Sequence, residues 1–303
     1  MTRGQEILTT IPEAVKRKVR QEAGFGCCKC GFPIIEYHHI VRDSQRPKDV
    51  MLLCPIHHHE ATVGAMLDKE QRFYKAHPYN IEKGFVEGKL KINQKTPVVN
   101  IGTNQLVGDG NFILIDGENL LSIEINEGRL ELSIKLYDQK DNLVARIECN
   151  EWISGDPLPW DLESKFQWLR IRRKLRDIAL EVDVRTYPIN IRGQMWRHGQ
   201  AFQLNPDQIL FNGVVTHVQF SNICFVAAQF GIDTSKKTFT ISPDPRFGRW
   251  YVISNPNIKE RVKLGLRAWE ELTCEHKFVT ILDKKKYIVK ECSKCKKIEK
   301  IWK

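Results

Sequence analysis

The spacing of apolar residues changes along the chain, and each change predicts a different kind of element. Ile11, Val15, Val19 and Ala23 recur at helical spacing, with Thr10-x-x-Glu13 as a capping box, Pro12 in the first turn and Gly24 beyond the end, so residues 11–23 are expected to be helical. Lys16, Arg17, Lys18 and Arg20 lie off the apolar face, where they are either solvated or in contact with nucleic acid. Residues 57–66 and 68–76 also read as helices, and His77-Pro78-Tyr79-Asn80 breaks the pattern. From Val98 the period becomes two. Residues 112–115, 120–125, 130–137 and 143–149 predict an antiparallel meander with turns at Glu127-Gly128 and 138–142. Further strands are expected at 166–172, 178–184, 189–191, 209–211 and 214–220. Finally, Asn257-x-x-Glu260 caps a helix to Leu272 whose Ile258, Val262, Leu266 and Trp269 share a face.

The chain has 303 residues, 42% of them hydrophobic and 28% charged, a mix that excludes a mainly disordered protein. No apolar run approaches the ~18 residues of a membrane span, and the polar start MTRGQEILTT lacks the apolar core of a secretory signal. A cytoplasmic protein without a membrane partner is therefore expected. Lysine and arginine total 47 against 37 acids. The excess is segmental: 1–100 and 273–303 are basic (16 against 11 and 10 against 4), whereas 101–160 is acidic (4 against 11), so the ends and 161–272 are the stretches suited to a polyanion. Within 161–272, Arg170, Arg172, Arg173, Lys174 and Arg176 form a basic cluster beside Trp160, Phe166 and Trp168, read either as a phosphate-binding surface or as packing.

Nine cysteines, an odd number without an export signal, argue against a disulfide framework. Seven fall into two groups. Cys27-x-x-Cys30 and Cys54-x-x-His57 are two close ligand pairs separated by a hairpin-length insert, the spacing with which one structural zinc staples a small motif. Cys28 substitutes for Cys27 only by narrowing the first pair to C-x-C. Cys274-x-His276 with Cys292-x-x-Cys295 is a second zinc candidate, and alternation between them predicts a hairpin resembling a small zinc ribbon. It is either a basic nucleic-acid clamp or a structural cap on the preceding helix. Cys149 and Cys224 sit in apolar runs and read as buried small hydrophobes.

Between the first two ligand pairs lies Glu36-Tyr37-His38-His39-Ile40, and His58 and His59 follow the last ligand. Residues 10–65 resemble the HNH endonuclease family, whose ββα-metal fold carries a cysteine zinc knuckle, a His-His-Ile run and a C-x-x-C/H pair followed by histidine. The resemblance implies that His38 and His58 hold a catalytic divalent ion, Mg2+ or another, and that His39 is the general base. Asp49 stands where the family has an asparagine that steadies the loop and the base; it either does the same or slows the reaction by raising the base's pKa. With His57, His58 and His59 consecutive, the roles can shift by one residue; His59 is read as surface.

The chemistry is coherent on its own terms. A cation held by two side chains keeps open positions for a phosphate oxygen and the leaving 3′ oxygen, and a neutral imidazole with an ordinary pKa near ~6.5 takes a proton from the attacking water. Lys29, Arg42, Arg46 and Lys48 are candidates for binding neighbouring phosphates. The expected fold class is α+β, with an N-terminal ββα-metal HNH module at 1–80, a linker at 81–96, a β-rich domain at 97–256, and a helix with a zinc-ribbon-like tail at 257–303. The expected activity is metal-dependent hydrolysis of DNA, with double-stranded DNA as partner and a homo-oligomeric or protein contact through the β-rich domain. A non-catalytic zinc-containing adaptor for nucleic acid or protein, and an RNA endonuclease, remain the other readings.

Overall fold

The computed structural model describes residues 10–155, 157–275, 278–284 and 287–302. Strands account for 46% and helices for 18%, which makes the fold α+β with strands dominant. No helix among the described residues is long and apolar enough to cross a membrane. The chain divides into two compact units, one comprising Met1–Ile92, Ser133–Thr186 and Gly193–Trp196, the other Asn93–Leu132, Tyr187–Arg192 and Arg197–Lys303.

The first unit opens with α1 (Glu13–Glu22), β1 (Glu36–His39), β2 (Val50–Leu53), α2 (Pro55–Thr62), α3 (Asp68–Ala76) and α4 (Tyr79–Lys83). β1 and β2 pair antiparallel, with His38 opposite Met51 and His39 opposite Val50. Every residue of β2 is fully buried, packed with Val19, Ala23 and Cys28, so this short hairpin is held by its apolar second strand. The helix expected from residue 11 starts at Glu13 without the Thr10 cap, because the residue before Pro12 is forced towards extended backbone and Pro12 itself is extended at the N-cap. Gly64, at φ 77°, follows the early end of α2. Pro78, read as a breaker, instead stands at the N-cap of α4, where its missing N–H costs nothing.

Residues 81–96 are not a simple linker. They contain the strand Val86–Lys89, which pairs antiparallel with Glu151–Ser154 and belongs to the first unit up to Ile92. Asp161–Lys165, Trp168–Lys174 and Asp177–Asp183 form an antiparallel set in the same unit. The strand expected at 166–172 straddles the turn at Phe166-Gln167, because apolar alternation runs on through it.

Arg20, expected on the exposed basic face of α1, is buried. Its Nε and Nη2 each donate at 2.8 Å to the two oxygens of Asp161, and Nη1 donates to the Tyr37 hydroxyl at 2.7 Å. Burial opposes the charge on Arg20, but the Asp161 bonds and the Tyr37 oxygen overcome it and leave the guanidinium above its ordinary pKa. Asp161 also accepts from Arg172 at 3.0 Å. Replacing Asp161 by alanine leaves the Arg20 charge buried without a carboxylate; a loss of about 3–5 kcal/mol is expected in urea unfolding, against little change for an exposed control such as Glu148→Ala. Three members of the basic cluster are engaged internally, Arg170 with Glu181, Arg172 with Glu163, and Arg173 with Asp177 and the Gln194 carbonyl, whereas Lys174 and Arg176 are exposed.

In the second unit, Gly110–Ile115 pairs antiparallel with Glu118–Asn126 and parallel with Ala228–Asp233. Asn104–Val107 pairs antiparallel with Val98–Ile101 and parallel with Ile223–Val226. The meander is thus interleaved with distant parallel strands, which local alternation does not encode. Phe202, Phe211, Phe220, Phe225 and Phe230 form a chain of ring contacts at 4.9–6.2 Å. Helix α5 (Ile258–Thr273) is capped as expected, Asn257 Oδ1 accepting from the amides of Lys259 and Glu260. Val262, Leu266 and Trp269 pack on Val98, Val107 and Cys224, whereas Ile258, at the start of the same face, is exposed. The C-terminal strands Phe278–Lys284, Tyr287–Cys292 and Ile298–Trp302 make a three-stranded antiparallel sheet rather than a bare hairpin.

Candidate metal centres and the histidine cluster

The first two cysteines lie on a tight turn in which the Gly31 amide donates to the Cys27 carbonyl at 2.7 Å and the Cys27 amide to the Phe32 carbonyl at 2.9 Å. Gly31 has φ 76°, and a Cβ there would lie 2.3 Å from Asn80 Oδ1, so the turn requires glycine. Asn80 is buried, and its Nδ2 donates at 3.0 Å to the carbonyls of both Gly24 and Gly31. Cys54 is the N-cap of α2, and the first helical turn brings His57 back over it.

His57 Nδ1 lies 3.3 Å from both Cys27 Sγ and Cys54 Sγ, and Cys30 Sγ lies 3.9 Å from Cys54 Sγ. All four ligand atoms lie within 4.8 Å of one another. A tetrahedral zinc with Zn–S about 2.3 Å has sulfur–sulfur edges of about 3.8 Å, so the set has the size and donor chemistry to hold one such ion. Cys28 is buried outside this set. Burial pushes its thiol up to about 11, raises that of Cys27, and takes Cys30 up to about 12. A metal ion must therefore displace protons from Cys27 and Cys30 at neutral pH, which couples loading to pH.

Cys274, Cys292 and Cys295 form a second group that can hold a metal ion, with Cys274 and Cys292 sulfurs 3.6 Å apart. His276, the fourth ligand expected there, lies outside the described residues. Of the two cysteines read as buried, Cys224 is buried but Cys149 is exposed, in a turn with φ 47°.

The rings of His38 and His58 stand 5.3 Å apart, nearly perpendicular at 80°. Each has a hydrogen-bonding partner of its own. His58 Nδ1 is 2.8 Å from Glu36 Oε2, and Glu36 sits two residues before His38 on β1, hence on the same strand face. His38 Nε2 is 3.1 Å from Gln71 Oε1, while Gln71 Nε2 donates to the Met66 carbonyl at 3.0 Å. That carbonyl accepts only, so the amide orientation of Gln71 is fixed and its oxygen faces His38; the neutral ring then carries its proton on Nε2 and leaves a lone pair on Nδ1. Burial, and next the neighbouring His58, lower the His38 pKa and favour that neutral form.

His39 follows on β1, and its Nδ1 is buried without a hydrogen-bond partner among the described residues. The strand ladder ends just after it, where the amides of Ile40 and Val41 both reach the Asp49 carbonyl. The Asp49 side chain is buried and turned into the loop: Oδ2 accepts from Ser44 Oγ and Arg46 Nε, both at 2.7 Å, and the Ser44 bond leads in holding its pKa below the usual carboxylate range. Asp49 thus ties the loop between β1 and β2 together. Lys29 pairs with Glu60 at 2.8 Å, Arg46 with Asp49 at 2.7 Å and Arg42 with Asp43 at 3.7 Å; Arg42 and Lys48 are exposed in the loop between β1 and β2. His59 is exposed, as expected. Glu36, Gln71 and Asn80 are the contributors that sequence reasoning missed; only Glu36, at strand spacing from His38, left a local signal.

No protein-family model, curated protein or solved structure matches the chain.

Proposed function

We propose that this protein is a metal-dependent endonuclease of the HNH type that hydrolyses phosphodiester bonds in DNA. The observation that carries the reading is the nearly perpendicular pair His38 and His58, each held by its own hydrogen-bonding partner, on the hairpin and helix that also bring Cys27, Cys30, Cys54 and His57 together. Two imidazoles sharing one ion through nitrogens about 2.0–2.1 Å away have ring centres about 4.5–5.3 Å apart, the spacing seen here. In this reading the four-ligand cluster holds structural zinc, and the second cysteine group holds another. His38 Nδ1 and His58 Nε2 hold Mg2+ or another divalent ion, which supplies charge stabilisation at the phosphate. His39, half-buried at the end of β1 beside His38, accepts the proton of the attacking water. Asp49 steadies the loop that carries the base, and Arg42 and Lys48 contact flanking phosphates.

The deciding experiment incubates the purified chain with supercoiled plasmid and Mg2+ or Mn2+, beside matched DNA and RNA duplexes. Nicking of DNA that depends on the added ion supports the proposal, and preferential cleavage of RNA reassigns the substrate. The absence of cleavage with every metal and substrate favours a non-catalytic zinc-containing adaptor, a reading to which the internal pairing of Lys29 and Arg170 lends weight.

Gln71 offers a finer test. Gln71→Leu removes the acceptor that fixes the His38 tautomer, and a 10–100-fold higher concentration of the added ion is expected to be needed for half-maximal nicking, about the effect of losing a ligand's outer partner, with the zinc content unchanged.

A further inference from the structure

A pocket of about 220 Å³ in the first unit lies apart from the metal clusters and the histidines. Trp152, 3% exposed, lies in its wall against Gly88, where a Cβ would fall 2.6 Å from the indole. Phe32, next to the knuckle turn, and Phe166, at the tip of the hairpin between Asp161–Lys165 and Trp168–Lys174, flank it with ring centres 6.4 Å apart. Both rings are nearly half exposed and so are accessible to a ligand. The backbone around them is fixed: Ser164 Oγ donates to the Pro33 carbonyl at 2.9 Å, and the Lys91 amide to the Phe166 carbonyl at 2.6 Å. Lys89, Lys91 and Lys165 also line the pocket, and no carboxylate does. Lys89 is paired with Glu151, whereas Lys91 lies 4.3 Å over the Phe166 ring.

We propose that this pocket takes an unpaired nucleotide of a nucleic-acid strand, its base against Phe32 and Phe166 and its phosphates on Lys91 and Lys165. The ligand must present a flat π-face and negative charge together, which a nucleotide does within one unit and a lipid acyl chain does not. The volume is below the about 300–1,000 Å³ of ordinary small-molecule sites and suits one base. Duplex DNA keeps its bases stacked and cannot fill it. The site therefore gives the protein a grip on single-stranded or locally opened nucleic acid, and it is separate from the hydrolytic chemistry proposed above.

Fluorescence anisotropy with a labelled single-stranded oligonucleotide, a matched duplex and a nucleoside 5′-monophosphate as competitor tests this without added divalent ions, so the outcome does not depend on cleavage. Phe166→Ala is expected to weaken single-strand binding by about 5–150-fold, with duplex binding unchanged. Phe166→Tyr should keep it. Should Phe166→Ala fail to fold, the exposed double variant Lys91→Gln with Lys165→Gln is expected to reduce the steepness of the log–log salt dependence by about 1.4, the value for two phosphate contacts on a single strand. Unchanged single-strand affinity in a folded Phe166→Ala, or an unchanged salt slope in the double variant, overturns the proposal. So does a monophosphate that competes as strongly as the oligonucleotide, which would make this a site for free nucleotides.

Discussion

Cys54→Ser is expected to release one metal ion per chain and to destabilise the hairpin and α2 together. Cys54 is placed both to ligate and to begin the helix that carries His57 and His58, so its loss removes a thiolate and loosens the return of the chain over the knuckle. Structural zinc contributes apparent binding energies of about 10–16 kcal/mol in small finger peptides. Here the fully buried β2 supplies a core of its own, so a partly folded first unit rather than complete collapse is anticipated. Metal content measured by atomic emission, read beside the thermal transition, checks this; a variant that keeps both its metal and its melting temperature would remove Cys54 from the cluster. Retained metal should also fall off as the solution is acidified, since the raised thiols of Cys27 and Cys30 regain their protons ahead of ordinary cysteines.

His39→Ala is expected to lower plasmid nicking by about 10²–10⁴-fold, the usual contribution of a general base. Zinc content should stay that of the parent, because His39 lies outside the four-ligand cluster. The contrast with Cys54→Ser separates chemistry from scaffold: one change removes turnover from an intact fold, the other loosens the hairpin and helix that carry the histidines. Nicking by His39→Ala at the parental rate would eliminate this histidine as the base even if the protein cleaves DNA.

The first cluster was legible because its ligands come in short-range pairs whose spacing is fixed by a turn and by one helical turn. Helix α5 was legible for a similar reason, since Asn257 caps it within three residues. What escaped notice depends on distant parts of the chain. Gln71 meets His38 from 33 residues away, and nothing near either residue marks the meeting. Arg20 looked like one more cation on a basic face because its acid is 141 residues downstream. The parallel strands of the second unit were missed for the same cause: Cys224 lies opposite Gln105, and alternation reports which face is buried without naming the neighbour. Local errors had local causes, as where Phe166-Gln167 carried an apolar pattern through a turn.

The distance between Arg20 and Asp161 also orders events as the chain leaves the ribosome. Cys27 and His57, 30 residues apart, emerge almost together. At about 5–20 residues per second, Asp161 follows Arg20 by about 7–28 s. The thiols and imidazole are thus within reach of one another while the arginine is still hydrated, before the strand that carries Asp161 has been made.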